Sequence, residues 1–129
     1  MVTAMVRRSR GFTLIELLVV MSIIALLLTI AVPRYFGSLN RSKEVALQEN
    51  LHVLRTTLDK FRADTGRYPE TLDELVEAKY LRAVPADPVT ESAATWVMVP
   101  PREAGSTGVG DVRSGAQGQM KDGRRYDTL

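Results

Sequence analysis

Residues 12–32 form a run of 21 positions that is apolar almost throughout. As a helix it would be about 31 Å long, the thickness of a bilayer's hydrocarbon layer, ~30 Å. In lipid, backbone polar groups are satisfied only within a helix or a closed barrel, so a single run of this kind must be helical. Ser22 and Thr29 fit that reading, because their hydroxyls can bond back to helix carbonyls. The exception is Glu16. An acid at the centre of a membrane helix costs about 2.5–3.5 kcal/mol on insertion scales, so a carboxylate near the start of the run needs a partner or a task. If the chain is cut between Gly11 and Phe12, Phe12 acquires a free α-amine four residues before Glu16.

The segment ahead of that bond, residues 1–11, carries Arg7, Arg8 and Arg10 and no acid. A secretory signal peptide is one alternative. Against it, the apolar run is long, and the nearest small-residue cleavage pattern, Thr29-Ile30-Ala31, is poor. A plain signal anchor is another, but it leaves Glu16 without a reason. Basic residues do not decide orientation, since Arg34, Arg41 and Lys43 lie beyond the run.

The string Gly11-Phe12-Thr13-Leu14-Ile15-Glu16 after a basic leader resembles the class III signal of type IV pilins and type II secretion pseudopilins. The resemblance implies cleavage between Gly11 and Phe12 by a prepilin peptidase and N-methylation of Phe12. It makes Glu16 the residue that neutralises a neighbouring subunit's amine during assembly, and it places Pro33 at the family's helix proline. It further implies an inner-membrane anchor with the leader inside and the C-terminal head in the periplasm. The expected partners are further copies in a helical filament, other pseudopilins and an assembly platform.

The 129-residue chain has room for one small domain besides the apolar run. Its formal charge is +2, but without the leader 14 basic residues face 15 acidic ones, so the basic pI carries no inference about nucleic acid. Cysteine is absent, which excludes disulfides and thiolate metal sites. His52 is the only histidine, and no nucleophile elbow, phosphate loop or dinucleotide fingerprint occurs. The expectation is a protein that is not an enzyme.

Pro33 and Gly37 should weaken the helix just past the apolar run, by ~3 and ~1 kcal/mol respectively. We expect a kink there in the free subunit and melting on assembly. Leu47, Leu51, Leu54, Leu58 and Phe61 then follow at spacings of 4, 3, 4 and 3, one stripe of an amphipathic helix. Ala46 and Val53 should widen the stripe. Glu44, Glu49, Arg55, Asp59, Lys60 and Arg62 should face away, with Arg55 and Asp59 as an i,i+4 pair. Gly66 is suited to end the helix and Tyr68-Pro69 to prevent its continuation. Thr71 and Glu74 fit a capping box for a short helix bearing Leu72, Leu75 and Val76. Residues 95–99 predict a strand containing Trp96, a head-core residue. Weaker strands are expected through 108–112 and 124–126.

The fold class is therefore α+β. A leader at 1–11 is removed, followed by a membrane and assembly helix at 12–33 and an amphipathic stem helix at 34–66. A small head at 67–129 holds one short helix and an antiparallel β-meander. Arg67-Tyr68-Pro69, Leu72, Leu75, Tyr80-Leu81, Pro85 and Asp87-Pro88 resemble the same region of major pseudopilins, which points to the type II secretion branch. In the glycine-rich tail, the order Asp111, Ser114, Gly118, Asp122-Gly123 resembles those proteins' calcium loop. That resemblance implies Asp111, Ser114 and Asp122 as ligands of Ca2+. Two acids are few for a cation taking 6–8 oxygens, and an ordinary C-terminal loop is the alternative. The implied function is a structural subunit of a type II secretion pseudopilus that drives protein export. The alternatives are a type IV pilin used for adhesion, motility or DNA uptake, and a signal-anchored periplasmic binding protein that does not polymerise.

Overall fold

The computed structural model describes residues 3–5 and 10–129, so Arg7 and Arg8 of the leader lie outside the described residues. Helix α1 (Leu14–Thr65) is followed by α2 (Leu72–Glu77), strands β1 (Val97–Val99) and β2 (Asp111–Arg113), and a 3-10 turn at Tyr126–Thr128. This is the expected α+β arrangement. The chain divides into two compact units, Met1–Ser38 and Leu39–Leu129.

In the first unit, α1 presents its apolar side chains on every side. From Leu14 to Val32 its large hydrophobic residues are all substantially exposed. The helix is long and apolar enough to cross a membrane, and a helix that is oily all round belongs in a core or in lipid. Ser22 Oγ donates to Leu18 O at 2.7 Å and Thr29 Oγ1 to Ala25 O at 2.8 Å, so both hydroxyls are satisfied within the helix. α1 continues through Pro33 and Gly37 as α-helix.

In the second unit the leucine stripe is the core. Leu47, Leu51, Leu54, Leu58 and Phe61 are buried, together with Leu72, Leu75, Trp96, Val109 and Val112. Each such side chain contributes about 1.5–3 kcal/mol by leaving water. Val53 does not widen the stripe but stays exposed. Gly66 ends α1 with φ +76°, a left-handed conformation that glycine adopts freely, and its N–H bonds Arg62 O at 2.9 Å. Thr71 caps α2 by accepting the Glu74 N–H at 3.3 Å. The Glu74 carboxylate reaches back one residue further than a capping box requires, to the Glu70 N–H at 2.7 Å, and also pairs with Arg67.

Trp96 is buried in the head as expected, and its indole N–H donates to Pro85 O at 2.7 Å. β1 and β2 pair antiparallel with Val97 opposite Arg113, Met98 opposite Val112 and Val99 opposite Asp111. Gly108 leads into β2 at φ +101°, where a Cβ would lie 2.5 Å from Pro69 O, so only glycine lets the loop pass. The third strand expected at 124–126 is absent. Met120 N–H bonds Arg124 O at 2.7 Å and Gly123 N–H bonds Met120 O at 3.0 Å, so the chain turns on itself within five residues. A single bridge between Gln119 and Arg125 remains.

Candidate functional site

The N-terminal site is built around the start of α1. Gly11 and Phe12 precede the helix, and Phe12 is 92% exposed. Thr13 stands at the N-cap. Its hydroxyl accepts the Glu16 N–H at 3.2 Å, while Glu16 Oε2 accepts the Thr13 N–H at 3.2 Å. The two residues thus close a reciprocal capping box and satisfy two of the amides that a helix start leaves unpaired. Glu16 has a partner in the uncut chain, which the sequence reading did not supply. The signal was present, because Thr13-Leu14-Ile15-Glu16 obeys the rule that located the start of α2. Pro33 lies within α1 and is exposed.

In this arrangement the Gly11–Phe12 bond sits in irregular, exposed chain immediately outside the first helical turn. A helical backbone must be unwound to enter a peptidase, and these residues need no unwinding. A carboxylate held by hydrogen bonds at a helix start can also exchange one N–H partner for a cationic amine.

The tail residues proposed as calcium ligands are each engaged elsewhere. Asp111 Oδ1 accepts from Arg55 Nε at 2.9 Å and from the Val112 N–H at 2.7 Å. Ser114 is fully buried and its hydroxyl donates to Asp87 Oδ2. Asp122 accepts from Arg124 through both oxygens, at 3.0 Å from the backbone and 2.8 Å from Nε. The Arg124 bonds hold its carboxyl below the usual range. Among the described residues no three His, Asp or Glu side chains gather in one place. The donor set does not fit Ca2+ as the chain is folded here. Arg55 also departs from expectation. It does not pair with Asp59 on its own helix but reaches β2 and the end of the chain.

Comparison with known proteins places these features in context. Residues 6–32 match the prokaryotic N-terminal methylation motif. The chain is 30% identical to type II secretion system core protein G of Escherichia coli (strain K12), over 88% of this chain and 86% of the relative. It is 33% identical to type II secretion system core protein G of Klebsiella pneumoniae, over 64% of this chain and 70% of that protein. It is 40% identical to the type IV major pilin protein PilA of Myxococcus xanthus (strain DK1622), over 53% of this chain but 31% of the pilin. No solved structure matches.

Proposed function

This chain belongs to the type IV pilin-like family as a G-type pseudopilin, and from that membership we propose how it works as a structural subunit of a type II secretion pseudopilus. A prepilin peptidase cuts between Gly11 and Phe12 and the new Phe12 amine is methylated. The subunit is anchored in the inner membrane by the apolar part of α1, with residues 39–129 on the periplasmic side. It then polymerises with further copies and other pseudopilins into a fibre that pushes proteins outward. Its work is mechanical, not catalytic.

The observation that carries this reading is the juxtaposition at the start of α1. An exposed Gly11–Phe12 bond lies directly before a helix whose apolar part, residues 14–32, holds a single acid, Glu16, which accepts a hydrogen bond from a backbone N–H. Cutting that bond creates a cation within the reach of the same carboxylate on a neighbouring subunit, where low-dielectric surroundings strengthen the attraction. A type IV pilin is the second reading, favoured by the identity to the Myxococcus pilin.

Mass spectrometry of the membrane-extracted protein should find a chain beginning at N-methylated Phe12. Glu16→Gln should still be cut, yet form fibres at least tenfold less abundant by electron microscopy. Normal fibres from Glu16→Gln, or a mature chain starting near Ala31, would overturn the proposal. Secretion and pilus are separated by deleting the gene. Loss of an exported protein supports the first, and loss of surface fibres with export intact supports the second.

A further inference from the structure

The tail expected to be organised by a divalent cation is organised instead around a cation belonging to the chain. Arg55 lies on α1, and its guanidinium collects three oxygens from two remote segments. Nε donates to the Asp111 carboxylate at 2.9 Å, and Nη2 donates to Val112 O at 3.0 Å and to Leu129 O at 2.6 Å. One carboxylate and two carbonyls around a positive charge are the oxygen types that a hard cation takes in a glycine-rich loop. A guanidinium presents five N–H donors in a rigid plane and stays charged at all physiological pH, so it can gather such oxygens without exchanging with solvent ions. We infer that in this chain Arg55 takes the structural place of a bound divalent cation, holding residues 111–129 on the stem through Asp111, Val112 and Leu129.

The neighbouring groups are arranged to the same effect. Glu44 Oε1, about three turns before Arg55 on α1, accepts the Lys121 N–H at 2.8 Å, and Asp122 is closed on Arg124. Glu44, Asp111 and Asp122 are thus met by the chain's own donors, and Ser114, a ligand by resemblance, donates to a buried carboxylate; of the tail's acids Asp127 keeps one buried oxygen, Oδ1, without a hydrogen-bond partner. A lone ion pair as exposed as Arg55 and Asp111, with side chains 38% and 42% accessible, would do little. The convergence of three bonds on one planar group is what makes it an anchor. Order in the tail then does not depend on the calcium concentration outside the inner membrane.

The test uses the full chain in detergent micelles, with hydrogen exchange followed by mass spectrometry in millimolar calcium chloride and in chelator. Exchange of residues 111–129 should be the same in both. Arg55→Met should speed exchange across 111–129 by about tenfold while residues 47–61 keep their protection. Arg55→Lys, which retains the charge and loses the fork, guards against a variant that fails to fold, and it should also loosen the tail. Slower exchange of the wild-type tail in calcium would overturn the inference. So would an Arg55→Met or Arg55→Lys tail that exchanges at the wild-type rate.

Discussion

Asp87 is fully buried, and no lysine or arginine pairs with it among the described residues. What makes this tolerable is a set of donors. Oδ1 accepts the Val89 N–H at 2.8 Å and the Thr90 N–H at 3.4 Å, and Oδ2 accepts the Ser114 hydroxyl. Ser114 Oγ in turn accepts the Ala116 N–H at 3.1 Å. The carboxylate therefore pins the irregular segment after α2 to the loop after β2, a span of 27 residues in sequence. Removing it leaves buried donors without acceptors, the expensive kind of loss. Asp87→Ala should cost about 2–4 kcal/mol, and Ser114→Ala about 1–2 kcal/mol because the two amides still hold the carboxylate. Denaturant unfolding of both variants checks the order. The sequence marks Asp87-Pro88 only by resemblance and says nothing of burial, because the partner is a serine met only after folding.

At the scale of elements, α1 and α2 begin with the same device, a threonine and a glutamate three residues on. In α2 the Glu74 pKa is lowered by the hydrogen bond from Arg67 first and by the Glu70 N–H second. A carboxylate with a lowered folded pKa contributes stability that is fully present above its unfolded value of about 4.3 and is lost as pH falls through the folded value. Glu74→Gln should melt below wild type at neutral pH, and the gap should narrow as pH falls below about 4.3 and close only below the lowered folded value. A melting-temperature series across pH measures it. Periodicity suffices for such elements because the contacts that define them lie within four residues. It fails for the strand expected at 124–126, where Arg124, Arg125 and Tyr126 have strand-like composition but no third partner. A tight turn between Met120 and Arg124 satisfies their backbone instead.

At the scale of the whole molecule, the two units rest on different solvents. Every residue of the buried cluster falls within Leu39–Leu129, while residues 14–32 bury none of their large apolar side chains within the chain. Residues 39–129 should therefore fold without the first unit. Expressed alone, that piece should be monomeric and show one cooperative thermal transition by circular dichroism. Loss of the transition would mean that the apolar helix contributes to the core.

Gly11-Phe12, the apolar run, Glu16, the leucine stripe, the Gly66 stop and the Thr71 cap could all be read in the chain as written. Each depends on neighbours a few residues apart or on the plain need of an oily surface to leave water. Arg55 shows the limit. Its nearest acid in sequence is Asp59, four residues on, and local rules pair the two, yet its partners are 56 to 74 residues away. The choice was made by packing. Burial of Leu54 and Leu58 sets the face of α1 on which Arg55 stands, and the β1–β2 pairing brings Asp111 and Val112 within its reach. The sequence by itself determined a membrane-competent helix within an N-terminal methylation motif and an amphipathic continuation. Only the tertiary structure decided which charges meet, because a long-range hydrogen bond has no period and exists only once the loops that carry its ends have been closed.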